Sequence, residues 1–160
     1  MIEKHEQFEI REYPSMRVVQ TNRNNSADNS FMKLFRFITG KNEQKQQIAM
    51  TTPVFMTQQE QEKMIFVMPA SMKIEDVPKP VDGAVEVREM EGGHFAVYTY
   101  SGRMSRANEQ TALGELRKWI AGKPESGSVT GEPVYAYFDG PITPWFWKRN
   151  EVMLKLVRRV

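Results

Sequence analysis

Residues 141–151, Pro-Ile-Thr-Pro-Trp-Phe-Trp-Lys-Arg-Asn-Glu, hold the densest chemistry in the chain. Two prolines stiffen a loop that displays two indoles and a phenyl ring, followed by two positive charges. Aromatic faces stack on a flat ligand while cations pair its anionic groups, so Trp145 and Trp147 with Lys148 and Arg149 suit a planar molecule carrying carboxylates. Single-stranded nucleic acid would use the same parts. The structural alternative is a plug of rings at the open end of a barrel, with the charges solvated.

Other chemistry is sparse. The chain has 2 histidines and no cysteine, which excludes disulfides, thiolate metal sites, covalent haem attachment and a cysteine nucleophile. His5 lies in a charged segment, and His94 follows Glu91-Gly92-Gly93 in a turn entering a strand; both read as titrating surface residues. No serine sits in a nucleophile elbow, and no glycine pattern marks a dinucleotide or phosphate loop. Glu9 and Glu12 lie three apart on a strand and point to opposite faces, as do Glu86 and Glu89, so neither makes an acid–base pair. The 11 methionines suit either an adaptable ligand pocket or gap-filling in a core.

The elements that must position these groups follow from periodicity. Residues 8–13 alternate as a half-buried strand, Pro14-Ser15 breaks it, and residues 16–21 form a second strand. After a polar loop, Asp28 or Ser30 would cap a helix whose apolar stripe is Phe31, Leu34, Phe35 and Ile38, with Phe37 off its centre and Gly40 at its end. Strands are expected at 48–56 and 64–68. Residues 85–89 and 95–100 give two more, and a second helix starting at Ser105 carries Leu113, Leu116, Trp119 and Ile120 toward Gly122.

Three segments recur in order. Val-Glu-Val-Arg-Glu at 85 echoes Phe-Glu-Ile-Arg-Glu at 8; Leu116–Lys123 echoes Leu34–Lys41; Pro133-Val134-Tyr135 echoes Pro53-Val54-Phe55. Matched order points to internal duplication. A half cannot bury much core alone, so the two should share one. The expected fold is therefore α+β: a strand-strand-helix-strand-strand unit written twice, forming a distorted antiparallel barrel flanked by two helices. Residues 1–160 make one domain of two pseudo-repeats, about 8–69 and 85–157, joined by a seam at 78–83.

Composition agrees with one ordinary folded domain: 160 residues, 40% hydrophobic, 26% charged, net charge +2. The charges are mixed rather than striped, so no nucleic-acid partner is expected. No apolar run is long enough to span a bilayer. Charges fill the first ten residues where an export signal would need an apolar stretch, so the cytoplasm is the expected location.

Several motifs resemble the SOUL/haem-binding protein family along nearly the whole chain. They are F-E-I-R-E-Y-P at 8, L-F-R-F-I-T-G-K-N at 34, I-A-M-T-T-P-V at 48, F-V-M-P at 66, G-E-P-V-Y at 131 and R-N-E-V at 149. The resemblance implies the same duplicated, barrel-like fold, similar also to bacterial effector-binding domains. It implies non-catalytic binding of haem or a related tetrapyrrole in a hydrophobic cleft, for buffering or transport. The porphyrin would lie against the first helix and the loop before R-N-E-V. The matching side chains are Phe31, Phe35 and Arg36 on the helix, with Trp145, Trp147 and Lys148 on the loop. Some members are thought to use an axial histidine just before the tyrosine of the opening strand; here that position is Glu12. The alternative function is an enzyme or sensor using the same cleft for another small hydrophobic ligand.

Overall fold

The computed structural model describes residues 3–5, 7–22, 27–49, 54–57, 62–103, 105–138 and 149–157. In chain order the elements are β1 (Glu3–His5), β2 (Phe8–Tyr13), β3 (Met16–Asn22), α1 (Ala27–Ile38), β4 (Val54–Thr57) and β5 (Lys63–Val67), then β6 (Val85–Met90), β7 (Gly93–Tyr100), α2 (Arg106–Ala121), β8 (Ser128–Tyr137) and β9 (Asn150–Val157). Single 3-10 turns occupy Ile74–Asp76 and Pro124–Ser126. The architecture is mixed α+β. Two compact units form, one of Ser15–Glu91 and one of Met1–Pro14 with Gly92–Val160.

In the unit of residues 15–91 the antiparallel strand order is β4-β5-β3-β6. Alternating side chains send Met64 and Phe66 to one face of β5 and Ile65 to the other, and all three are buried. α1 buries Ser30, Leu34, Phe37 and Ile38. This corrects the expected stripe. Phe37, expected off-centre, is 1% exposed, whereas Phe35 is 37% exposed and Phe31 only half-buried. Two apolar stripes overlap at Leu34 and Ile38, and the helix turns the one carrying Phe37 inward. Ser30 is likewise no cap: it lies one turn inside α1, and its hydroxyl donates to Asn22 O at 3.3 Å.

Beyond α1, Gly40 has φ +121°, where a side chain would be strained. The buried Asn42 amide donates to Phe37 O and Gln46 O, both at 2.9 Å, and its oxygen accepts from the Gln44 and Gln46 amides. The chain turn after the helix is thus closed by a fully satisfied side chain. Of the strand expected at 48–56, residues 50–53 lie outside the described residues, and β4 starts at Val54.

The other unit has the order β1-β2-β7-β9-β8, again antiparallel. Ile10 pairs with Ala96 and Ala96 with Leu154, and β8 shifts register against β9 between Thr130 and Val134. α2 follows the sequence reading closely. Ser105 caps it, its hydroxyl accepting from Asn108 N at 3.1 Å, and Ala112, Leu116 and Ile120 are buried among Ile10, Tyr135, Val152 and Leu154. Leu113 and Trp119 pack partly buried beside them.

Both units place the strand before the helix third, after the two strands that follow the helix. The fourth place is taken by β6 beside β3 and by β2 beside β7. The expected closure into a barrel is not found. The ladders run open and end at β6 in one unit and at β1 in the other, because neither terminal strand pairs onward among the described residues.

Candidate functional site

Turning Phe37 inward leaves α1 with an apolar outer face. Phe31 stacks on Phe35 at 5.9 Å between centroids and meets Phe66 of β5 edge-on at 5.4 Å, so the first ring is anchored to the sheet. Met32 (41% exposed) and Phe35 (37%) lie within one turn and face outward. Arg36 is exposed beside them. The structure therefore joins Phe31, Phe35 and Arg36 on one helix, with Met32 beside them: two stacked rings, a cation and a polarisable thioether. Such a face can cover a flat apolar molecule and pair a carboxylate at its rim. Trp145, Trp147 and Lys148 lie outside the described residues.

R-N-E-V proves to be a structural anchor. Glu151 is 0% exposed on β9. Arg11 of β2 grips both its carboxylate oxygens at 2.7 Å, Arg149 donates at 2.8 Å, and Arg11 also pairs with Glu9 and donates to the Tyr13 hydroxyl at 2.8 Å. Burial alone would raise the Glu151 pKa; hydrogen bonds from Arg11 and Arg149 outweigh it and hold the carboxyl below its ordinary value. For Arg11 burial works against the charge, and the bonds to Glu151 and Tyr13 more than offset it. The neighbouring Asn150 donates its buried amide to Gly102 O at 2.9 Å.

On the opposite face of the same sheet lies a cluster that the motifs did not announce. Glu109 of α2 is 2% exposed and accepts a hydrogen bond from the Tyr137 hydroxyl. Tyr98 stacks on Phe8 at 4.6 Å and on Tyr100 at 6.0 Å, and Phe8 stacks on Trp119 at 5.3 Å. Burial, helped by the Glu109 charge, pushes Tyr135 up to about 12. Burial likewise carries Tyr100 and Tyr137 well above the ordinary phenol value, keeping these groups neutral. The available signal was the run of aromatic residues at 98, 100, 135 and 137 with a lone acid in the first turn of α2.

Glu12 and His94 are cross-strand partners, with His94 Nε2 4.0 Å from a Glu12 carboxylate oxygen, and both are partly or largely exposed. Among the described residues no group of three or more His, Cys, Asp or Glu is placed to hold a metal. His5 belongs to β1. Four methionines serve the core, since Met56, Met64, Met68 and Met153 are buried, whereas Met32 is exposed on α1.

The antiparallel sheets, each paired with one helix, make an α+β fold. It is similar to that of the EcmrR C-terminal domain (12% identity, TM-score 0.67, 96% of this chain and 98% of that one). A hydrolase from Listeria innocua is also similar (10% identity, TM-score 0.62, 94% and 92% covered). At these identities the likeness shows the fold alone. No curated protein matches the chain. The profile of the SOUL heme-binding proteins matches residues 1–155, so the chain belongs to that family.

Proposed function

We propose that the protein binds haem or a related tetrapyrrole non-covalently, without catalysis, and serves to buffer or carry it. Membership of the family supports a small-molecule ligand of this kind. The observation that carries the reading to a place is the outward apolar face of α1, with Phe35 and Met32 exposed where a solvated helix would present polar side chains. Phe31 and Phe35 would bury one porphyrin face, and Arg36 would hold a propionate. Trp145, Trp147 and Lys148 are proposed as further ligand contacts. Bound haem would supply a planar apolar surface and an iron centre. The residues fit the apolar plane and the carboxylates, while Glu12 stands where some relatives are thought to offer histidine, so tight iron ligation is no part of the proposal.

The matching strand orders support reading the chain as one domain of two pseudo-repeats, 8–69 and 85–157, each contributing its first strand to the other's sheet. No described helix is long and apolar enough to cross a membrane; a cytoplasmic site of action and the absence of a nucleic-acid partner belong to the proposal. A second reading, an enzyme or sensor that uses the same cleft for another small hydrophobic ligand, draws on the same exposed Met32 and Phe35 of α1. Titrating the protein with haemin tests the first reading. A saturable Soret shift is expected, and a spectrum equal to that of haemin in buffer would overturn it.

A further inference from the structure

Val85, Glu86 and Val87 are consecutive on β6, so their side chains alternate between the two faces of the sheet. All three nonetheless line one open groove of about 580 Å³, together with Ile74, Val77 and Pro78. A depression that touches three consecutive strand residues runs along the side of the strand rather than over one face. That side is the end of the ladder: β6 pairs with β3, and among the described residues with nothing beyond. An edge of this kind offers a row of backbone N–H and C=O groups for pairing.

We propose that this groove takes an extended peptide segment, which adds to β6 as a further strand, with apolar side chains at alternate positions and basic residues between them. The backbone edge supplies the hydrogen bonds. Ile74, 38% exposed, and the buried Val77 and Val85 supply apolar contact. Charge sets the sign of the partner: the lining holds Glu75 and Glu86 against Lys79.

The far wall argues for a peptide rather than a second copy of the chain. A second sheet would bring its own next strand about 4.7–4.9 Å behind the first, whereas the groove is already walled by residues of the 74–80 segment. That wall is held in place by the Asn42–Pro80 bridge and by the Glu43 amide, which donates to Lys79 O at 2.9 Å. A pre-formed slot spares an incoming strand part of the ordering cost of association.

The test uses a labelled, end-blocked peptide of alternating valine and lysine, about eight residues long, as strands usually are. Two controls are the same peptide N-methylated at alternate residues and a valine–glutamate version. Saturable binding by anisotropy is expected, with amide shifts confined to residues 74–80 and 85–90. N-methylation and the acidic version should each weaken it about tenfold. Glu86→Lys and Ile74→Ser, checked by circular dichroism for an unchanged fold, should each weaken it about fivefold. Equal binding of the N-methylated peptide, shifts mapping elsewhere, or no saturation at millimolar peptide would overturn the proposal. So would a β6-dependent dimer in sedimentation, which would make a second copy the occupant. None of these outcomes depends on haemin.

Discussion

Arg11→Met should destabilise the protein by about 3 kcal/mol. Glu151 is wholly buried, and Arg11 supplies both bonds of a fork at 2.7 Å, leaving Arg149, itself half exposed, as the other guanidinium on it. Removing one partner of a buried ion pair typically costs about 3–5 kcal/mol, because the remaining charge stays in the interior. Arg149 stays bonded, which places the loss at the low end. For a chain of this size each kcal/mol shifts the melting temperature by about 2–4 °C, so the midpoint should fall by about 6–12 °C. The pH dependence has a definite sign. The folded Glu151 pKa is depressed, so its contribution is fully present above the ordinary carboxylate value and is lost as pH falls through the lower folded value. Arg11→Met should therefore lose most of its disadvantage in acid. The double variant Arg11→Met/Glu151→Leu should regain much of the stability, since apolar replacement of a whole buried pair is often neutral. Thermal melts read by circular dichroism from pH 3 to 7, a span in which carboxylates titrate, measure the parent and both variants. A fall of under about 1 kcal/mol for Arg11→Met at pH 7 would refute the reasoning, because such a loss is typical of an exposed pair.

Further outcomes follow from single contacts. Leu34→Ala should cost about 2–5 kcal/mol in a denaturant melt, because Leu34 is 0% exposed; Phe35→Ala, on the outward face of the same helix, should stay within about 0.5 kcal/mol. Ser105→Ala should remove about 1 kcal/mol by uncapping α2. Tyr137→Phe leaves the buried Glu109 without its phenol donor and should cost about 1–3 kcal/mol. Tyr98, Tyr100, Tyr135 and Tyr137 all have raised folded pKa values, so stability should be full below the ordinary phenol pKa of about 10 and fall as pH rises beyond it. A phenolate absorbance titration should show these groups ionising together with alkaline unfolding.

α2 was legible because its signals agree: a serine cap, an apolar stripe and a terminal glycine all mark the same span. α1 was legible in extent but not in orientation, since Leu34 and Ile38 belong to two overlapping stripes. One takes in Phe31 and Phe35, the other Phe37, and the sheet, not the helix, decides which is buried. That same ambiguity hides the ligand face, because periodicity puts Phe35 in the core while the family resemblance puts it against the ligand. The Arg11–Glu151 fork joins residues 140 positions apart, and the Glu109–Tyr137 bond needs β8 to pass beneath α2. Local spacing carries no trace of either. R-N-E-V is a case where a recognisable motif marks an internal anchor: Asn150 and Glu151 point into the protein, and its neighbourhood to the aromatic loop is a matter of chain order.

The central claim rests on α1 holding a porphyrin by area rather than by charge. Apolar burial contributes about 25 cal/mol per Å² before association costs, while an exposed ion pair adds about 0–1 kcal/mol. The direct measurement is the haemin dissociation constant of Phe35→Ala and Arg36→Ala against the parent protein, at low and high salt. The account predicts a loss of about tenfold for Phe35→Ala. For Arg36→Ala it predicts at most about fivefold, with little effect of salt on the parent. If Arg36→Ala abolished binding and salt weakened it steeply while Phe35→Ala bound as well as the parent, α1 would be an anion site and the tetrapyrrole reading would be wrong.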